Sequence, residues 1–145
     1  MAQRTVEDQR DHDTTLWQIE RRFKIPIWTL VSNPGDAQNQ GLDIPAERGK
    51  VTLYPDFVYL EKRTGKLAAV GEVETESSVT AEEAHDQWQL FARAAPRFFL
   101  YVPREKEEEA LKLCRQFYIR TQDVMIYYYT EKNLFVVAKA GKKPG

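Results

Sequence analysis

The chain has one cysteine, Cys114, and two histidines, His12 and His85, among its 145 residues. A lone thiol excludes an internal disulfide and fits a reducing compartment. With so few sulfur and imidazole donors, a Cys/His zinc centre is excluded. A metal would have to be held by oxygen, which means Mg²⁺, Mn²⁺ or Ca²⁺. Long apolar runs are also missing, and none approaches the roughly 20 residues of a membrane span. The opening segment, MAQRTVEDQRDHD, is polar and has no apolar h-region. It predicts no secretory leader and a cytoplasmic location. Excess charge of either sign is lacking: 21 Lys and Arg against 22 Asp and Glu leave a formal net charge of −1. That argues against strong non-specific attraction to nucleic acid. Basic residues cluster locally at Arg21, Arg22 and Lys24, at Lys62, Arg63 and Lys66, and at Arg93, Arg97 and Arg104. Each cluster taken alone reads as a solvated face.

What is present describes a folded chain. At 42% hydrophobic and 30% charged, the composition is that of a soluble globular protein rather than a disordered one. The length suits a single domain over residues 1–140, with a flexible tail at 141–145. Leu16, Ile19 and Phe23 recur at helical spacing, so residues 5–24 read as a helix that ends before Pro26. A short strand is expected at Ile27–Val31. The 19 residues SNPGDAQNQGLDIPAERGK are turn formers and read as a long loop, a feature that is commonly functional. VTLYPDFVYLEK and KLAAVGEVET follow as strand-like runs. Thr80 and Glu83 form a capping-box pattern that opens a helix reaching Ala95, with Ala84, Trp88, Phe91 and Ala95 on one face. RFFLYV reads as a buried strand and REKEEEALKLCRQFY as an amphipathic helix with Ala110, Leu111, Cys114, Phe117 and Tyr118 inward. DVMIYYYT and NLFVVAKA then make a hairpin.

The informative stretch is GEVETESS, Gly71–Ser78. On a strand, Glu72, Glu74 and Glu76 would share one face. At roughly 5 Å an ionised pair repels by about 1 kcal/mol in water and by several times that when partly buried. A solvated edge or a cation site would each explain the pattern. Gly65 favours a three-residue turn, Arg63-Thr64-Gly65, which places Lys62 opposite Lys66, Leu60 opposite Ala68, Val58 opposite Val70 and Asp56 opposite Glu72. A two-residue turn would instead send Asp56 to the other face. Pro55 predicts a bend or strand start beside Asp56. Glu20 falls on the apolar stripe of the first helix, where a carboxylate calls for a partner. Gln87, four residues before Phe91, is an amide able to serve a metal-bound water or a phosphate.

Pro55-Asp56 followed by Glu72-Val73-Glu74 resembles the P-D…(D/E)-x-K nuclease superfamily, PD-(D/E)XK. The element order over residues 10–103 agrees with it. The resemblance implies an α/β fold with a restriction-endonuclease-like core. This is a mixed central β-sheet flanked by helices (α-β-β-β-α-β), here carrying an added C-terminal helix and β-hairpin. It implies a Mg²⁺- or Mn²⁺-dependent nuclease acting on nucleic acid, DNA foremost, and allows a homodimer. Asp56 and Glu72 would be the main metal ligands, with the Val73 carbonyl and Glu20 completing the site. Glu74 stands where the family lysine belongs and would act as a second-ion ligand or general base. Lys62 is the nearest candidate for a migrated lysine, and Gln87 matches a glutamine that some branches carry. Ser77, Ser78, Thr80 and the following helix N-terminus would receive a phosphate, with Arg93 as a further nucleic-acid contact. Trp28, Tyr127, Tyr128 and Tyr129 are candidates to stack on bases, although strand aromatics are commonly core. The 33–50 loop is a candidate lid. The alternative functions are a catalytically inactive member of the fold that binds nucleic acid or protein, and an unrelated α/β interaction domain.

Overall fold

The computed structural model describes residues 4–35, 37–121 and 123–141. Thr5 caps the first helix, α1 (Val6–Arg21), by accepting the Asp8 N–H at 3.1 Å. Strand β1 (Trp28–Ser32) follows. The expected long loop yields one strand, β2 (Leu42–Ala46), which pairs as an antiparallel hairpin with β3 (Gly49–Leu53), whose Val51–Leu53 read as strand from the sequence. That is a correction to the sequence reading. The segment is poor in apolar residues because both strands are largely exposed, and only Ile44 is buried in the main body.

Pro55 breaks the run that read as one strand, so β4 covers only Phe57–Glu61. β5 (Leu67–Val73) returns antiparallel to it. A short helix, α2 (Ala81–Glu83), passes through a π turn (Ala84–Trp88) into α3 (Gln89–Ala94). Thr80 caps it as expected, accepting the Glu83 N–H at 3.2 Å. Next come β6 (Phe98–Pro103), α4 (Glu107–Gln116), β7 (Asp123–Tyr129) and β8 (Phe135–Lys139).

Six strands form one mixed sheet in the order β1-β4-β5-β6-β7-β8. β5, β6 and β7 run parallel, while β1, β4 and β8 join antiparallel. The parallel steps need crossovers, which α2–α3 and α4 supply. Period-two alternation divides the apolar side chains between two faces. Val70, Leu100 and Val102 meet Trp88, Phe91 and Leu113, whereas Phe57, Tyr59 and Tyr101 meet Leu16 and Ile19 of α1. The chain is thus a mixed α/β protein whose sheet is flanked by helices. Among the described residues no helix is long and apolar enough to cross a membrane.

Two details depart from the sequence reading. Tyr118 lies outside α4 with φ +53° and is exposed, because the helix ends at Gln116; Leu113 fills the inward position. The expected tail lies outside the described residues beyond Gly141.

The β4–β5 turn is also wider than expected. Glu61 N–H donates to Lys66 O at 2.8 Å and Gly65 N–H to Glu61 O at 2.7 Å, leaving residues 62–65 as the loop. Leu60 therefore faces Leu67, and Ala68 is the extra residue of a bulge. Beyond the bulge Tyr59 faces Ala69, Val58 faces Val70 and Phe57 faces Gly71, so the expected register is regained at the end that carries Asp56. Gly65 has φ +73° with open space where a Cβ would go. Gly65→Ala should therefore cost about 1 kcal/mol through backbone conformation alone, and Gly65→Asn should recover most of it, read by urea denaturation.

Candidate functional site

At the open end of β4 and β5, side chains take over from the backbone ladder. Asp56 N–H donates to Glu72 Oε1 at 3.1 Å, and Val73 N–H donates to Asp56 Oδ2 at 2.7 Å. The two carboxylates are held side by side by each other's strand. Pro55 keeps this end from closing into a regular ladder, since it has no N–H to contribute. On the β1 side, Asn33 N–H donates to Asp56 O at 2.9 Å. The Asn33 side chain uses both of its donors, on Gln40 O and Pro55 O, and its oxygen accepts from the N–H groups of Asn39 and Gln40. A buried amide with every valence filled fixes the Pro55-Asp56 corner.

Sequence reasoning missed two basic side chains near the Asp56–Glu72–Glu74 carboxylates. His12 is buried on α1, with Nδ1 2.9 Å from Asp13 Oδ1 and Nε2 2.9 Å from Asp56 Oδ1. The second contact does not make an aligned N–H···O hydrogen bond. Burial is the largest influence on His12 and disfavours the imidazolium. The Asp56 and Asp13 carboxylates outweigh it, and the pKa is raised above the ordinary 6.5. The signal was present in the sequence, because His12 lies four residues before Leu16 on the same stripe. Arg4, just ahead of α1, brings Nη2 to 3.9 Å from Glu74 Oε2.

Glu74 itself is fully buried. Its Oε1 accepts the Trp88 indole N–H at 3.0 Å, and Oε2 has no hydrogen-bond partner. Burial pushes its carboxyl up to about 8; the Glu83 and Asp56 charges add to this, while contacts from Ser78 and Trp88 oppose it. The Arg4 contact is too long to reverse that balance. Burial likewise raises Glu72 well above the usual carboxylate range, helped by the Asp56 and Glu74 charges and opposed by the Asp56 N–H and Arg4. Glu83 is raised by burial and lowered by Arg4. For Glu72, Glu74 and Glu83 burial thus outweighs the positive charge nearby among the described residues.

Asp56 and Glu72 open onto a cleft of about 340 Å³. Arg4, Gln9, His12 and Gln87 also line it, and Thr52, Leu53 and Tyr54 at the end of β3 form a further wall. Gln87 thus joins Asp56 and Glu72, as the sequence suggested; the π turn presents it to the cleft while Trp88 stays in the core. Among the described residues no three His, Cys, Asp or Glu side chains stand ready to hold a metal ion. The donor set still fits Mg²⁺ or Mn²⁺, which are commonly bound through one or two carboxylates with water completing the shell. The hold of Asp56 and Glu72 side by side through each other's backbone is the observation that favours added positive charge.

The structure places the other sequence candidates elsewhere. Glu20 accepts from Ser32 Oγ at 3.2 Å and lines a separate pocket with Lys62. It lies two helical turns past His12, about 12 Å along α1. Lys62 is at the far end of β4, about 20 Å from Asp56 along the strand. Glu74 lies behind the cleft wall against Trp88, which removes it as a direct ligand there. Val73 meets Asp56 through its N–H rather than its carbonyl. Ser77 lines a depression with Asp8, Asp11 and Glu76, a poor seat for a phosphate. Ser78 receives the Thr75 N–H at 2.9 Å, and Thr80 is used in capping. Arg93 is exposed beside His85 and Asp86, outside the cleft. Glu76 is solvated, as expected. Of the aromatic candidates, Trp28 is buried and the Tyr127 hydroxyl donates to Glu74 O at 2.5 Å.

No protein-family model, curated protein or solved structure matches this chain. The raised Glu74 carboxyl carries a pH dependence. Folding raises its pKa from 4.5 to about 8, so the folded state binds more protons across that interval and stability falls as pH rises through it. Glu74→Gln should be more stable than the native chain at pH 8, by at most about 4 kcal/mol, with the difference shrinking toward pH 5 in urea titrations.

Proposed function

We propose that the chain is a metal-dependent nuclease that hydrolyses phosphodiester bonds in the Asp56–Glu72 cleft. The observation that carries this reading is the reciprocal hold between Asp56 and the Glu72-Val73 backbone, which sets two carboxylates at a cleft mouth. Support comes from the arrangement of the sheet. β1, β4 and β5 form an antiparallel meander, α2–α3 crosses over, and β6 returns parallel to β5. This arrangement agrees with the α-β-β-β-α-β order that the sequence resemblance implies. Asp56 and Glu72 would hold Mg²⁺ or Mn²⁺. When bound, such an ion lowers the pKa of a water and offsets the negative charge that develops on the phosphate oxygens. Gln87 offers an amide to orient the water or a phosphate oxygen. His12 Nε2 stands 2.9 Å from Asp56 Oδ1, and Trp88 donates its indole N–H to the buried Glu74 at 3.0 Å.

A second reading is a non-catalytic binding module of the same fold. The burial of Glu74 behind Trp88 favours it, since no lysine stands at that position.

The test is incubation with supercoiled, linear and single-stranded DNA and with RNA, in Mg²⁺ or Mn²⁺. Cleavage should require the divalent ion and stop on chelation. Asp56→Asn and Glu72→Gln should each slow it by about a thousandfold, the scale of losing one preorganised charge. Absence of cleavage with every substrate, or cleavage unchanged in both variants, overturns the reading.

A further inference from the structure

We propose that Arg4 supplies the cation that the nuclease pattern places on residue 74, and that its guanidinium binds the scissile phosphate. This rests on the nuclease reading above. Among the described cleft-lining residues, Arg4 is the one with a permanent positive charge. Lys62 and Arg93, the basic candidates from the sequence, lie outside that cleft.

The geometry leaves Arg4 available for a ligand. Its Nη2 is 3.9 Å from Glu74 Oε2, beyond hydrogen-bond distance, and its buried Nε has no partner. A guanidinium carries five donors in a planar fork suited to two phosphate oxygens. Its side chain is 26% exposed, so a ligand in the cleft can reach it. The spare donors fit an anion brought in with the substrate, and among the described residues no group stands at hydrogen-bond distance from the guanidinium.

In the reaction, the water oxygen forms a bond to phosphorus and the ester P–O bond breaks. One water proton ends on the leaving oxygen, and the other goes to solvent as the phosphate monoester ionises. Arg4 takes no proton. It stabilises the negative charge that builds on the non-bridging oxygens, an interaction that strengthens in the transition state.

The experiment compares the native chain with Arg4→Ala and Arg4→Lys, and with Arg4→Gln should Arg4→Ala fail to fold. Cleavage rates are measured in Mg²⁺. Binding to a single-stranded phosphorothioate oligonucleotide is measured in Ca²⁺ across a salt series. Arg4→Ala should lower kcat/KM by about 100-fold, and Arg4→Lys should recover at least about tenfold of it. The slope of log K against log salt should shallow by about 0.7 in Arg4→Ala, the signature of one lost phosphate contact on a single strand. Native cleavage that Arg4→Ala retains overturns the inference alone. A rate loss with an unchanged salt slope and no recovery by lysine also overturns it, because Arg4 would then only support the fold. No cleavage by the native chain overturns the nuclease reading, and the catalytic role of Arg4 with it.

Discussion

The arrangement depends on a pair of hydrogen bonds at one end of one hairpin. Asp56 N–H reaches Glu72 Oε1, and Val73 N–H reaches Asp56 Oδ2. Each bond satisfies a backbone donor that the splayed ladder would otherwise leave unpaired, which is costly in a buried setting. Each also draws a carboxylate toward a second one. The same contacts that close the hairpin therefore create the electrostatic problem at the site. Asn33 stiffens the corner by holding Pro55 O and Asp56 O at once. Gly71 allows the close approach beneath, since a Cβ there would meet the Phe57 ring and the Tyr59 hydroxyl at 3.3 Å.

The described residues offset this concentration of negative charge only in part. His12 lies between Asp13 and Asp56, and Arg4 approaches Glu74 without bonding to it. Glu72 and Glu74 remain biased toward their protonated forms, chiefly by burial. A buried acidic cluster kept short of counter-charge is costly to maintain, and conformational stability does not require it. Its position at a cleft mouth gives that cost a functional sense, because a divalent cation and an anionic substrate together complete the balance of charge.

Much of this was legible in the sequence, for reasons that differ from residue to residue. The Asp56–Glu72 pairing followed from hairpin arithmetic, and it holds because a longer turn and a bulge at Ala68 cancel. Pro55 marked the strand break because its chemistry is local. Gln87 was visible from its place on the helix, although the π turn was not. Glu20 lines another pocket because periodicity gives a face and not a position along the helix, and Lys62, offered as a migrated lysine, lines that same pocket. His12 sat on the same helical stripe as Leu16, where a polar side chain was equally informative. Arg4 and the β2–β3 hairpin were not legible. One precedes any periodic segment, and the other is too exposed to show a hydrophobic pattern.

The central claim is that Asp56 and Glu72 form a cation site rather than a self-contained ionic corner. Anomalous diffraction from a crystal soaked in Mn²⁺ tests it most directly. The account predicts an anomalous peak within about 2.0–2.6 Å of both carboxylates, the ligand distances of Mg²⁺-like and Ca²⁺-like ions. A fully soaked crystal with no peak between them, and with His12 still against Asp56, would contradict it.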